Sequence, residues 1–246
     1  AATLNTLDGK TSVAIDGSAI TTLTGTEADV KAAFGSSGIS GLTFDAANYI
    51  ASYGDLINAF GFNTSAAESH YYAHGLSENR SFDSFDETSY LASNGDLITA
   101  FGSNTTSALN HYINFGYSEG RNTDSFKELS YIASYTDLMD AFGADGASAA
   151  TSHYISHGYE EGRTVQFDEV GYLASHSDLI TVFGSDTTAA TKHYINHGYS
   201  EGRTITFDAA SYLAANADLR AAFGSNEDLA KQHYVDYGYN EGRALS

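Results

Sequence analysis

The chain has 246 residues, with 31 acidic side chains against 11 basic ones for a formal charge of −20, and it contains no cysteine, proline or tryptophan. A field of that sign repels nucleic acid and anionic lipid, and the missing cysteines exclude disulfides and thiolate metal sites. No apolar run approaches the ~20 residues of a membrane span, and no charged and apolar leader pattern opens the sequence, so any amino-terminal signal is expected to be absent or already removed.

Residues 1–43 stand apart from the rest. Thr11 to Ile15 and Ala19 to Leu23 alternate small polar and branched residues around Asp16-Gly17, a pattern that predicts a short β-hairpin. Thr26 to Phe34 reads as a capped helix ending at Gly35. This segment is placed where it could cap the first of the units that follow.

From Phe44 onward the chain repeats itself. HYYAHGLSENR starts at His70, HYINFGYSEGR at His111, HYISHGYEEGR at His153, HYINHGYSEGR at His193 and HYVDYGYNEGR at His233, at intervals of 40 to 42 residues. The five repeats are 44–84, 85–125, 126–166, 167–206 and 207–246. A unit of that size is too small to bury its own apolar face, so neighbours must share a core by stacking.

Each unit predicts three short helices. In repeat 2, Asp86 caps a helix carrying Tyr90 and Leu91, and a break follows at Asn94-Gly95. A second helix carries Leu97, Ile98 and Phe101 to Gly102. The polar run Asn104-Thr105-Thr106 opens a third, with Leu109, Tyr112 and Ile113, that stops at Gly116. The fold class is therefore mainly α, a tandem helical repeat preceded by a small β-containing segment.

Two glycine positions recur in every copy: Gly61, Gly102, Gly143, Gly184 and Gly224 after the second helix, and Gly75, Gly116, Gly158, Gly198 and Gly238 after the third. Both predict positive φ at a helix C′ site. Repeat 1 departs, with Leu76 where the others have Tyr and Asn79 where they have Gly.

The pattern FD…YLAS…DL…AFG…HY…GYSEGR resembles a tandem unit of bacterial secreted and surface proteins that is also appended to some glycosyltransferases. In that unit Pro often precedes DL; here Gly54, Gly95, Thr136, Ser177 and Ala217 stand there. The stretch Ile20 to Val30 similarly resembles linker modules of giant calcium-rich exported proteins. The resemblance implies an extracellular or cell-surface setting and a structural or binding role rather than a reaction.

The chemistry-bearing positions allow competing readings. Arg80, Arg121, Arg163, Arg203 and Arg243 hold one repeat position, and a bidentate pair with a carboxylate of the adjoining unit is expected, with Asp55, Asp96, Asp137, Asp178 and Asp218 as partners. The pairs are expected to be buried at the unit boundaries, so that Arg121→Met leaves a buried carboxylate unpaired and costs roughly 3 kcal/mol. The other reading is capture of an anionic glycan.

His70/His74, His153/His157 and His193/His197 are spaced i, i+4, as in metal sites. Phe115 and Tyr237 fill the second position in the other copies, which points to aromatic packing instead. The first His of each pair is expected to bond a backbone carbonyl. Calcium is left open by the acidic excess, although neither a β-roll nonapeptide nor an EF-hand loop is present, and Asp at N-caps accounts for the scattered acids.

No nucleophile elbow, P-loop or dinucleotide fingerprint occurs, so no enzyme is expected. The expected function is a non-enzymatic extracellular or cell-surface module for scaffolding, adhesion or self-assembly. The alternative is a glycan- or metal-binding module using displayed His and Tyr. Repeat 5 is the most charged copy, with Arg220, Asp228, Lys231 and Asp236. Either its last face meets a second copy in a head-to-tail homo-oligomer, or those charges are a cap.

Overall fold

The computed structural model describes residues 1–246. Residues 1–43 begin with α1 (Ala2–Asp8), followed by β1 (Ile15–Asp16), α2 (Glu27–Phe34) and β2 (Ile39–Ser40). The predicted hairpin is not there. β1 pairs in parallel with β2, Ile15 opposite Ile39 and Asp16 opposite Ser40. Gly17 serves close approach rather than a hairpin turn, since a Cβ there would lie 2.9 Å from side-chain atoms of Ile39 and Leu42.

Residues 19–23 form no strand. The Thr21 carbonyl instead accepts from the Phe82 N–H at 2.7 Å and the Ser81 hydroxyl at 2.8 Å, which straps the segment to the end of repeat 1. α2 starts and stops as predicted: Thr26 accepts from the Asp29 N–H at 3.2 Å, and Gly35 follows Phe34. Phe34 packs edge-on to Phe82 at 5.0 Å and against Phe44 at 5.8 Å. The segment therefore extends the apolar core of repeat 1.

Every repeat has the same three helices. In repeat 2 they are Glu87–Ala92, Gly95–Phe101 and Thr105–His111, and the third widens into a π-helical turn over Tyr112–Gly116. Asp86 accepts from the N–H groups of Thr88 and Ser89, and Asn104 accepts from that of Ser107, satisfying donors that a helix start leaves orphaned. Repeat 3 has Lys127 in the first cap position and no side-chain cap bond there.

The second helix ends on Gly102 with φ 60° and ψ −130°, and Gly61, Gly143, Gly184 and Gly224 share the positive φ. That region is open to glycine and strained for other residues. The left-handed stop after the third helix comes later than predicted, at Gly120, Gly162, Gly202 and Gly242. Asn79 takes that conformation in repeat 1 with φ 54°, a substitution the short amide side chain tolerates.

The chain divides into two compact units, residues 1–125 and 126–246, and the division falls on a repeat boundary. The first holds residues 1–43 with repeats 1 and 2; the second holds repeats 3 to 5. Within each unit the third helix of one repeat packs on the first helix of the repeat before it, as Thr105–His111 does on Ala46–Ala51 and Thr187–His193 does on Glu128–Ala133.

A serine joins these neighbours. The Ser134 hydroxyl accepts from the Gln166 and Phe167 N–H groups, and the Ser175 hydroxyl accepts from those of Thr206 and Phe207. Tyr49, Tyr90, Tyr131, Tyr172 and Tyr212, one per first helix, are completely buried. No helix is long and apolar enough to cross a membrane.

Candidate functional site

The end of the third helix is built around the buried Tyr of the first. The Tyr hydroxyl hydrogen-bonds Nδ1 of the first His of each HY motif: Tyr49–His70 at 3.1 Å, Tyr90–His111 at 2.9 Å, Tyr131–His153 at 3.1 Å, Tyr172–His193 at 3.0 Å and Tyr212–His233 at 2.9 Å. The expected bond from His to a backbone carbonyl is replaced by this side-chain pair. Burial pushes the Tyr90, Tyr131 and Tyr172 phenols up to about 12, so the hydroxyl keeps its proton.

The same hydroxyl explains the second glycine set. Gly75, Gly116, Gly158, Gly198 and Gly238 do not have positive φ; Gly116 sits at φ −58° in right-handed helix. The prediction that they are left-handed helix stops fails. A Cβ at Gly116 would lie 2.1 Å from the Tyr90 Oη, and at Gly198 2.2 Å from the Tyr172 Oη. Glycine is needed because the phenol occupies the space of the missing methyl group. The opening Phe of the repeat stacks on the Tyr of HY, as Phe85 does on Tyr112 at 4.4 Å, and both rings pack against the buried Tyr90.

Each repeated arginine has two carboxylate partners. Arg121 holds Asp96 at 2.7 Å and Glu119 at 2.6 Å. Arg80 pairs with Asp55 and Glu78, Arg163 with Asp137 and Glu161, Arg203 with Asp178 and Glu201, and Arg243 with Asp218 and Glu241. Both partners belong to the same repeat as the arginine, not to the adjoining unit.

The trio is also not buried: the Arg121 side chain is 25% exposed and that of Asp96 61%. The Arg80 and Arg121 guanidiniums hold the Asp55 and Asp96 carboxyls below their ordinary range. Two acids converge at each site, and a guanidinium already stands between them. The Glu partners were readable in the sequence, since Glu78, Glu119, Glu161, Glu201 and Glu241 recur two residues before the Arg.

The residue four positions after the first His is exposed in every repeat: His74, Phe115, His157, His197 and Tyr237. Its ring rests on the first imidazole with centroids 5.3 Å apart in repeat 1 and 5.7 Å apart in the other four. That imidazole also meets the Phe that ends the second helix, for example Phe101 at 5.8 Å from His111.

The i, i+4 histidines of repeats 1, 3 and 4 are thus brought together as packed rings. The first of each pair has its Nδ1 engaged by Tyr, and no group of three or more His, Asp or Glu side chains is arranged to hold a metal ion. Comparison with family models, with curated proteins and with solved structures finds no match. The functional reading therefore rests on the geometry of the repeat.

Proposed function

We propose that this chain is a non-enzymatic repeat module of the cell surface or extracellular space, acting in adhesion by presenting one contact patch per repeat. One observation supports this reading most: five exposed rings at the same position, each seated on an imidazole that is itself fixed by a buried Tyr. The patch is rigid at its base and open at its top. Phe115 is 57% exposed and Tyr237 59%, although large aromatic rings ordinarily favour burial.

The ligand class that suits the patch is a neutral, polyhydroxylated one, a surface glycan. A flat ring presents a face to the C–H side of a sugar, and the nearby trio adds carboxylate acceptors for hydroxyl groups. An anionic glycan is disfavoured, because the chain carries −20 overall and each repeated guanidinium already has two carboxylates. Weak single contacts suffice, since several patches on one chain raise avidity through effective concentration. The likeness of the unit to repeats of bacterial secreted and surface proteins supports the location.

The test is retention on an insoluble neutral polysaccharide. The full chain is compared with variants in which one, two or all five rings (His74, Phe115, His157, His197, Tyr237) are replaced by Ser. Graded loss with ring number is expected. Equal retention of the five-ring variant and the parent would sink the proposal.

A further inference from the structure

Repeats 1, 3 and 4, each followed by another repeat of the same compact unit, share a receiving face that repeat 5 does not have. An apolar side chain on the second helix belongs to it, Ile57, Met139 or Ile180, and all three are buried. In repeat 5 the same position is Arg220, which is exposed. The serine that takes the next repeat's N–H groups, Ser134 or Ser175, is replaced by Ala215.

The opposite face of repeat 1 is altered as well. The position two before the first His is buried as Leu109, Thr151 and Thr191, and in repeat 5 it is Lys231, which pairs with Asp168 of the preceding repeat at 2.6 Å. In repeat 1 it is the exposed Glu68. Two positions after that His, where other repeats have Ile or Val, Tyr72 lies beneath the Lys31 ammonium of α2 at 4.5 Å.

We infer that Arg220 and Ala215 of repeat 5 prevent a second copy of the chain from docking its first repeat there. Copying the internal contact between two chains would bury a guanidinium in an apolar seat and leave the incoming N–H groups without the serine acceptor. It would also set Glu68 against Asp208, where the internal contact sets Lys231 against Asp168. This inference is independent of the glycan reading and takes Arg220 as a cap rather than part of a head-to-tail contact, whereas Lys231, paired with Asp168, belongs to the seam with repeat 4.

The test has two arms, both on the full chain. Sedimentation of the parent over a wide concentration range is expected to show a monomer throughout; concentration-dependent linear assemblies would overturn the inference. In the second arm, Ile180→Arg places the proposed blocking residue between repeats 4 and 5. Hydrogen exchange in repeat 5 is expected to speed up by at least about tenfold while repeat 3 stays protected.

Unchanged protection of repeat 5 would show that an arginine at this position does not block docking. Should Ile180→Arg fail to fold, Ser175→Ala provides the milder version, with faster exchange expected at the Thr206 and Phe207 amides. No change at those amides would count against the inference.

Discussion

The buried lock of a repeat (Tyr90, His111 and Gly116 in repeat 2) and its outer trio (Arg121, Asp96 and Glu119) are equally constant from copy to copy. Their surroundings differ. Tyr90 is completely buried, with its hydroxyl pressed on the glycine and bonded to the imidazole. The Asp96 side chain is 61% exposed. Constancy within a repeat shows that a position is used, and burial decides how much free energy depends on it.

The largest effect that would sharpen this contrast is expected at Gly116. Gly116→Ala drives a methyl group to 2.1 Å from the Tyr90 Oη, and overpacking of this kind is expected to cost about 3 kcal/mol, read from the urea midpoint. A loss near that of an exposed Gly→Ala change would place the Tyr elsewhere. Gly102→Ala meets no atom within 4 Å but imposes φ 60° on an L-residue, so about 1–2 kcal/mol is expected from backbone strain alone.

Tyr90→Phe leaves the His111 Nδ1 without its partner, at roughly 1 kcal/mol. Tyr71→Phe makes the complementary case. The Tyr71 hydroxyl is buried without a hydrogen-bond partner, and its removal is expected to leave stability unchanged or raise it.

Arg121→Met should then be the mildest of the disruptive changes. The roughly 3 kcal/mol appropriate to a buried pair does not apply, because the acid left behind remains in water; about 1 kcal/mol or less is expected, and less still in high salt. A loss as large as that of Gly116→Ala would reverse the ranking of lock and trio.

The two regions also respond to different ranges of pH. Burial, with Arg80 nearby for His70 and Arg203 for His193, lowers both imidazoles from 6.5. Between the folded value and 6.5 the unfolded chain binds more protons, so stability is full above about pH 6.5 and falls as acid takes the solution toward the folded value. Asp55 and Asp96 are lowered from 3.8 by their arginines, and their contribution persists until pH falls below that range. Thermal unfolding across pH 7.5 to 3 should show two stages of loss; replacing Arg121 should weaken the lower one, and replacing Arg80 should weaken both.

The repeat was legible in the sequence because each cap and break is local. Asp86, Asn104 and Gly102 act on their own neighbours, so three helices and their ends could be read from spacing. The second glycine set was misread for a non-local reason: what Gly116 meets is a phenol 26 positions away in the chain, and spacing alone cannot distinguish a turn from a contact. Residues 1–43 were least legible. α1 buries none of its residues, so no apolar period announces it, and β1 finds its partner only after α2 has intervened.

The patch itself was visible only as a position that accepts His, Phe or Tyr. Exposure of that ring, which separates a contact surface from a packing position, needed the fold. The arginine partners are half legible: a fixed Asp and a Glu two residues before each Arg both recur, but spacing alone does not tell a pair within one unit from a pair between two.

The constant aromatic positions divide into buried rings that hold the fold and exposed rings that we propose as the ligand-facing ones. The five-ring Ser variant tests that division most directly when its urea midpoint is measured beside its retention on neutral polysaccharide. A midpoint within about 1 kcal/mol of the parent, together with lost retention, is the predicted result. A collapsed midpoint would make these rings part of the core, and an unchanged midpoint with full retention would leave them no part in binding.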